Sequence, residues 1–245
     1  MNSSWSTKRE LVHRQPTTIG VFSSIILLVV TLSSLNVRAG ALPIQSQPHG
    51  QSYGAWTVAW WQWALGIAET NNPLLDTTGE FAGVNQTGQV WFLAGSLAES
   101  ETRTFTIPAG QSLFLPVHGW IFGATVNDCE PSVPGVTCDE ATLRASAAAA
   151  ATAVTNMQVT IDGQPVTGLQ NYRALSPETF TVTLPPGNLL GLPAGTYGPH
   201  VSDGYWLMLT PLSVGEHTIV VHAENPSFDI TYTVTYHITV EPRGR

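Results

Sequence analysis

The chain is poor in charge, and poorest in positive charge. Charged residues make up only 11% of its 245 positions, and its single lysine, Lys8, stands near the start. Beyond residue 41 the cations reduce to Arg103, Arg144, Arg173, Arg243 and Arg245, which face 16 carboxylates, a formal balance of −11. Nucleic-acid binding rests on a cationic surface that displaces counterions, and this sequence has none. The same lack argues against adhesion to anionic lipid headgroups. Cysteine is scarce too. Cys129 and Cys138 bracket the turn-rich stretch "EPSVPGVT". Two thiols do not complete a metal site, and the spacing is wider than the C-x-x-C of redox proteins. In an oxidising compartment they are expected to pair, which on the chain-entropy model stabilises by roughly 2.5–3 kcal/mol. Catalytic signatures are missing as well: there is no G-x-S-x-G elbow, no H-E-x-x-H and no Walker loop.

Long apolar runs are also lacking. The longest, "IGVFSSIILLVVTL" at 19–32, follows Lys8, Arg9 and Arg14 and precedes "AGA" at 39–41. At this length it is short for a membrane span. A cationic start, a short apolar stretch and a small-x-small site read as a secretory signal over 1–41, cleaved after Ala41 or Ala39. The alternative is an uncleaved anchor. The expected destination is the medium, the periplasm or the cell envelope, with no membrane attachment once the signal is removed.

What is present is mostly β pattern. Residues 42–52 read as a flexible leader and 53–245 as one domain. The first helix is expected over 53–70, ended by Asn71, Asn72 and Pro73. "VWFLAG", "RTFTIPAG" and "SLFLPV" read as strands joined by turns. The stripe Leu143, Ala147, Ala150, Val154 and Met157 predicts a second helix over 139–157, with Asp139 and Glu140 at its positive end. Further strands follow, interrupted by a Gly/Pro-rich stretch at 184–204 that reads as a long loop. The last strand is the clearest. Ile230, Tyr232, Val234, Tyr236, Ile238 and Val240 point one way, and Thr231, Thr233, Thr235, His237, Thr239 and Glu241 point the other. The expected fold class is mainly β: an antiparallel β-sandwich, immunoglobulin-like or jelly-roll-like, with two packed α-helices.

Two resemblances bear on this. "PLSVGEHTIVVHAEN" and the strand after it resemble the closing hairpin of bacterial immunoglobulin-like domains, over about the last 35 residues. The series "WWQWAL", "NPLLDTTG", "VWFLAG", "IPAGQSLFLPV", "SDGYWLML" and "PLSVGEHTI" resembles an uncharacterised family of secreted bacterial proteins. That resemblance implies export and brings no activity or binding residues.

The first helix carries Trp56, Trp60, Trp61 and Trp63. Apolar side chains cover most of its circumference, so most of it is expected to be buried. One or two rings can remain at a rim. The candidate ligand-binding residues are Trp61, Trp91, Tyr205, Trp206 and Glu69, the last a carboxylate where the helix dipole disfavours one. The expected function is a non-catalytic envelope or extracellular protein that binds a carbohydrate or another cell-surface component. One alternative is a polysaccharide hydrolase with paired acids among Asp76, Asp128 and Asp203. A purely structural envelope role is the third. No cofactor is called for. The alternative there is calcium, held by Asp128, Glu130, Asp139 and Glu140 if the cysteines draw them together.

Overall fold

The computed structural model describes residues 40–123 and 139–243. The signal segment and the Cys129–Cys138 pair, with Asp128 and Glu130, lie outside the described residues. Two helices and ten strands make up the regular structure: α1 (Tyr53–Leu65), β1 (Val90–Phe92), β2 (Ser100–Pro108), β3 (Ser112–Gly123), α2 (Glu140–Thr152), β4 (Thr155–Ile161), β5 (Gln164–Pro165), β6 (Arg173–Leu175), β7 (Phe180–Leu184), β8 (Gly195–Leu209), β9 (Gly215–Asn225) and β10 (Ile230–Glu241). The fold is mainly β, two sheets packed as a sandwich with two helices against them. The first sheet runs β1-β3-β8-β6, with β7 also on β8; the second runs β2-β10-β9-β4-β5.

The alternation in β10 holds through its whole length. Tyr232, Val234, Tyr236, Ile238 and Val240 are buried, and they meet Leu113, Leu115, Val117, Leu207 and Leu209 of the first sheet in one core cluster. The opposite face of the first sheet, with Phe114, Trp206 and Met208, packs on Trp60, Trp63 and Ala64 of α1. The layers are therefore α1, first sheet, second sheet. α2 covers the part of the first sheet's inner face that bears Trp120, Phe122 and Val201, using Leu143, Ala147 and Ala150.

Several features depart from the sequence expectation. α2 ends at Thr152 rather than 157, and Met157 of its expected stripe lies on β4. The sheets are mixed, because β1 pairs with β3 and β2 with β10 in parallel. α1 stops at Leu65, where the backbone N–H of Gly66 donates to the Gln62 carbonyl as a cap. The stretch 184–204 is a loop only in its first half, since β8 starts at Gly195. Its glycines allow close strand approach. Gly204 opposes Gly119, and a Cβ on Gly204 would lie 2.4 Å from the His118 carbonyl oxygen.

The leader is docked. Leu42 N–H donates to the Met208 carbonyl (2.7 Å), and the Trp56 indole N–H donates to the Pro48 carbonyl (3.0 Å). His49 bridges Gln89 and Ser112. Proline and polar residues suggested a mobile segment, but their backbone groups are used by β8 and by the tryptophan helix.

Candidate functional site

The four tryptophans of α1 each find an acceptor. Trp60 donates to the Leu93 carbonyl (2.9 Å), Trp63 to the Val84 carbonyl (2.9 Å) and Trp61 to the Ser202 hydroxyl (3.0 Å), while Trp56 holds Pro48. Trp60 and Trp63 are buried, Trp63 keeping 9% of its surface, and Trp61 is half-buried. The remaining candidates do not gather around Trp61. Trp206 is fully buried and stacks on Phe114, with centroids 5.4 Å apart and planes 5° from parallel. Its indole lies over Gly119, where a Cβ would come within 2.3 Å of the ring. Trp91 belongs to the inter-sheet core. Tyr205 is next to Trp206 on β8, and strand alternation sends its ring to the other face, against that same core. Glu69 is exposed and begins a separate 3-10 turn, Glu69–Asn71, so it never meets the end of the α1 dipole. Strand alternation and the early end of α1 thus leave Trp61 as the one candidate of the five in the wall of a cavity of useful size.

That cavity, about 390 Å3, follows an edge of β3. β1 covers β3 only from Ser112 to Phe114, and the strand continues to Gly123. The wall includes Pro116, Gly119 and Ile121 as well as His118 and Trp120, so both faces of β3 contribute. The ladder between β3 and β8 is irregular between Pro116 and His118. This shift changes the phase of the strand. Leu113, Leu115 and Val117 face the second sheet before it, and His118, Trp120 and Phe122 face inward after it. Trp61 and Leu65 of α1 close one side, and Ile230 and Tyr232 of β10 close the other.

The outer wall, Gly95 to Leu97, is fixed from beneath. Arg103 is buried, is paired with Glu101, and donates to the Ala94 and Gly95 carbonyls at 2.7 and 2.9 Å. The Tyr236 hydroxyl donates to the Ala94 carbonyl (2.6 Å). No charged side chain lines the cavity.

Two polar groups in this wall are unpaired. His118 is 5% exposed and Trp120 9% exposed, and neither His118 Nε2 nor Trp120 Nε1 has a hydrogen-bond partner. The two rings stack at 5.4 Å. Burial pushes the His118 imidazole down to about 4, so at neutral pH it carries no charge. Neither residue is among the candidates that the sequence offers. The available signal was a histidine and a glycine inside the otherwise apolar run "LFLPVHGWIF".

The acidic candidates are occupied elsewhere. Asp76 accepts from the backbone N–H groups of Thr78, Gly79 and Phe81 and from the Thr78 hydroxyl, all within 3.0 Å. Burial pushes this carboxyl up, but those four donors outweigh it and hold the group below its ordinary value. It organises a turn. Asp203, 1% exposed, receives both Nε and Nη2 of Arg173 at 2.9 and 2.7 Å. Asp139 caps α2 through Thr142, and Glu140 pairs with Arg144 at 2.7 Å. Among the described residues no group of three or more His, Cys, Asp or Glu is placed to hold a metal.

A second arrangement has the outline of a Ser-His-Asp trio. In a groove of about 700 Å3, His217 Nδ1 lies 2.8 Å from Asp162, and its Nε2 lies 3.3 Å from the Ser213 hydroxyl. The Ser213 carbonyl is closer to the same nitrogen, at 2.9 Å. Nε2 is thus engaged by the backbone and is not a free base for the hydroxyl. Asp162 also accepts from the Thr218 N–H, so the trio fastens the β4–β5 turn to β9.

No family model matches the chain, and no curated protein matches it. Three solved structures are similar. PbICP-C in complex with falcipain-2 is 14% identical, covering 63% of this chain and 100% of that one, at a TM-score of 0.22. The cysteine protease inhibitor EhICP2 from Entamoeba histolytica is 13% identical, covering 58% and 87%, at 0.21. Amebosin is 17% identical, covering 58% and 97%, at 0.16. None superposes closely enough to carry an argument about this chain.

Proposed function

We propose that this is an exported, non-catalytic binding protein of the envelope or extracellular space, and that the cavity at the bare edge of β3 is its ligand site. One observation carries the reading: Trp61 and Trp120 wall a cavity of about 390 Å3 that no charged side chain lines. Pockets of this size and character hold small molecules. The acidic balance beyond residue 41 and the lack of a membrane-length helix among the described residues are compatible with an exported protein. A panel of glycans and apolar small molecules titrated against the purified protein tests it by calorimetry. Saturable binding is expected, and Leu190→Trp, which places an indole in the cavity wall, abolishes it. If no compound saturates, the reading falls.

Carbohydrate fits a different surface better. A groove of about 510 Å3 beside α1 sets Trp56, Trp63 and Phe92 next to the side chains of Gln62, Asn85 and Gln89. Aromatic faces with amides around them suit a sugar, whose hydroxyls need partners. A glycan array with no signal would end this second reading.

A further inference from the structure

We propose that the β3-edge cavity takes an uncharged, mostly apolar small molecule bearing one hydrogen-bond-accepting oxygen, which the Trp120 indole N–H and His118 Nε2 hold. This rests on the reading of the cavity as the ligand site and names what enters it.

The argument starts from which polar groups in the wall are spent. Trp61 gives its N–H to Ser202, and the Tyr232 hydroxyl gives its proton to the Val117 carbonyl. The Ser96 hydroxyl is used twice by Ala98, as donor and as acceptor, both at 2.9 Å. The side-chain groups left over are Trp120 Nε1 and His118 Nε2. An indole N–H only donates, so its partner must be an acceptor. A buried polar group without a partner is a standing cost that a ligand oxygen relieves. Trp91 and Trp206 leave their N–H unpaired too, but neither faces this cavity. Of these three indoles, Trp120 is the one whose residue lines this cavity.

Charge decides the rest. No cation lines the wall, so a carboxylate or phosphate entering it would lose its hydration without compensation. A sugar would bring several hydroxyls to a surface with two free side-chain partners, and most would go unpaired. Leu65, Leu189, Leu190 and Leu97 face the body of the ligand, and Leu97, 67% exposed, already offers apolar surface to solvent.

Three probes of related shape and one sugar test this by calorimetry at neutral pH: naphthalene, 2-acetylnaphthalene, 2-naphthoate and maltotriose. The ketone is expected to bind about fivefold tighter than naphthalene, the equivalent of one hydrogen bond. The carboxylate is expected at least tenfold weaker than the ketone, and maltotriose silent. Trp120→Phe keeps the ring and erases the ketone preference. Leu190→Trp removes binding of both aromatics; binding that survives it lies outside the cavity and overturns the proposal. Equal binding of naphthalene and ketone, or preference for naphthoate or maltotriose, overturns the ligand class while leaving a ligand site in place. Silence from all four probes removes the site itself.

Discussion

The described tryptophans divide by the element that carries them. The four on α1 all donate their N–H, to Pro48, Leu93, Ser202 and Val84. The three on strands, Trp91, Trp120 and Trp206, donate to nothing. The difference is geometric. Indoles radiating from a helix reach loop carbonyls or, for Trp61, the Ser202 hydroxyl, none of them consumed by a ladder. A strand indole enters an apolar layer in which backbone polar groups are already paired along the sheet. Pairing therefore follows topology, and an unpaired indole is tolerated where its bulk is worth more than its hydrogen bond. Trp206 and Trp91 meet that condition as core. Trp120 meets it less well, because it lines a cavity.

The comparison breaks first at Trp206. If bulk is what holds this ring, Trp206→Ala should destabilise by about 3–5 kcal/mol, the range for large core aromatics. Trp61→Ala, which removes a half-buried ring at the cavity, should cost distinctly less. Urea denaturation of both variants checks the order, and equal losses would mean that the cavity wall is as structural as the core.

The next effect concerns His118, the polar neighbour of Trp120. Its folded value is about 4, against 6.5 for the free side chain. The unfolded chain takes up a proton as pH falls through about 6.5, and the folded protein does not until about 4. This contribution to stability is full above about 6.5 and declines between 6.5 and 4, by up to about 3 kcal/mol. Burial lowers His200 as well, partly offset by a hydrogen bond to Phe180, so it acts in the same direction. Asp76 acts only below its ordinary 3.8, outside this window. Thermal melts at pH 7 and pH 4.5 should show His118→Gln losing less stability than the parent protein. Parallel losses would mean that the imidazole takes its proton inside the fold.

Much of the fold could be read because its signals are local. The alternation in 230–241 needs only the period of a strand, and Leu143, Ala147 and Ala150 need only that of a helix. The burial of Trp60 and Trp63 followed from a helix apolar nearly all round. The parallel pairings of β1 with β3 and β2 with β10 join segments that nothing local connects. β8 was hidden by its own glycines, which read as loop residues although they serve close strand approach. The cavity was hidden for a related reason. It depends on β1 being three residues long against a β3 of twelve, and on a phase change near Pro116. Neither is a property of any short window. The half-burial of Trp61 was legible because a helix shows its faces in sequence, whereas the place of His118 and Trp120 in the cavity wall depends on long-range pairing.

The smallest effect sharpens the comparison most, because it turns on a single N–H. Trp56→Phe and Trp120→Phe each delete an indole N–H and keep an aromatic ring. In the first, the Pro48 carbonyl loses its donor, and the expected cost is about 1 kcal/mol, partly from the docked leader. In the second, no bond is lost and an unpaired buried donor is removed, so the deletion should be neutral within about 0.5 kcal/mol or slightly stabilising, after allowance for the smaller ring. The His118 stack survives either way, since it needs only the ring face. Paired urea titrations resolve a gap of this size. If Trp120→Phe costs as much as Trp56→Phe, the Trp120 N–H has a partner in solution, and the strand indoles are as well satisfied as those of the helix.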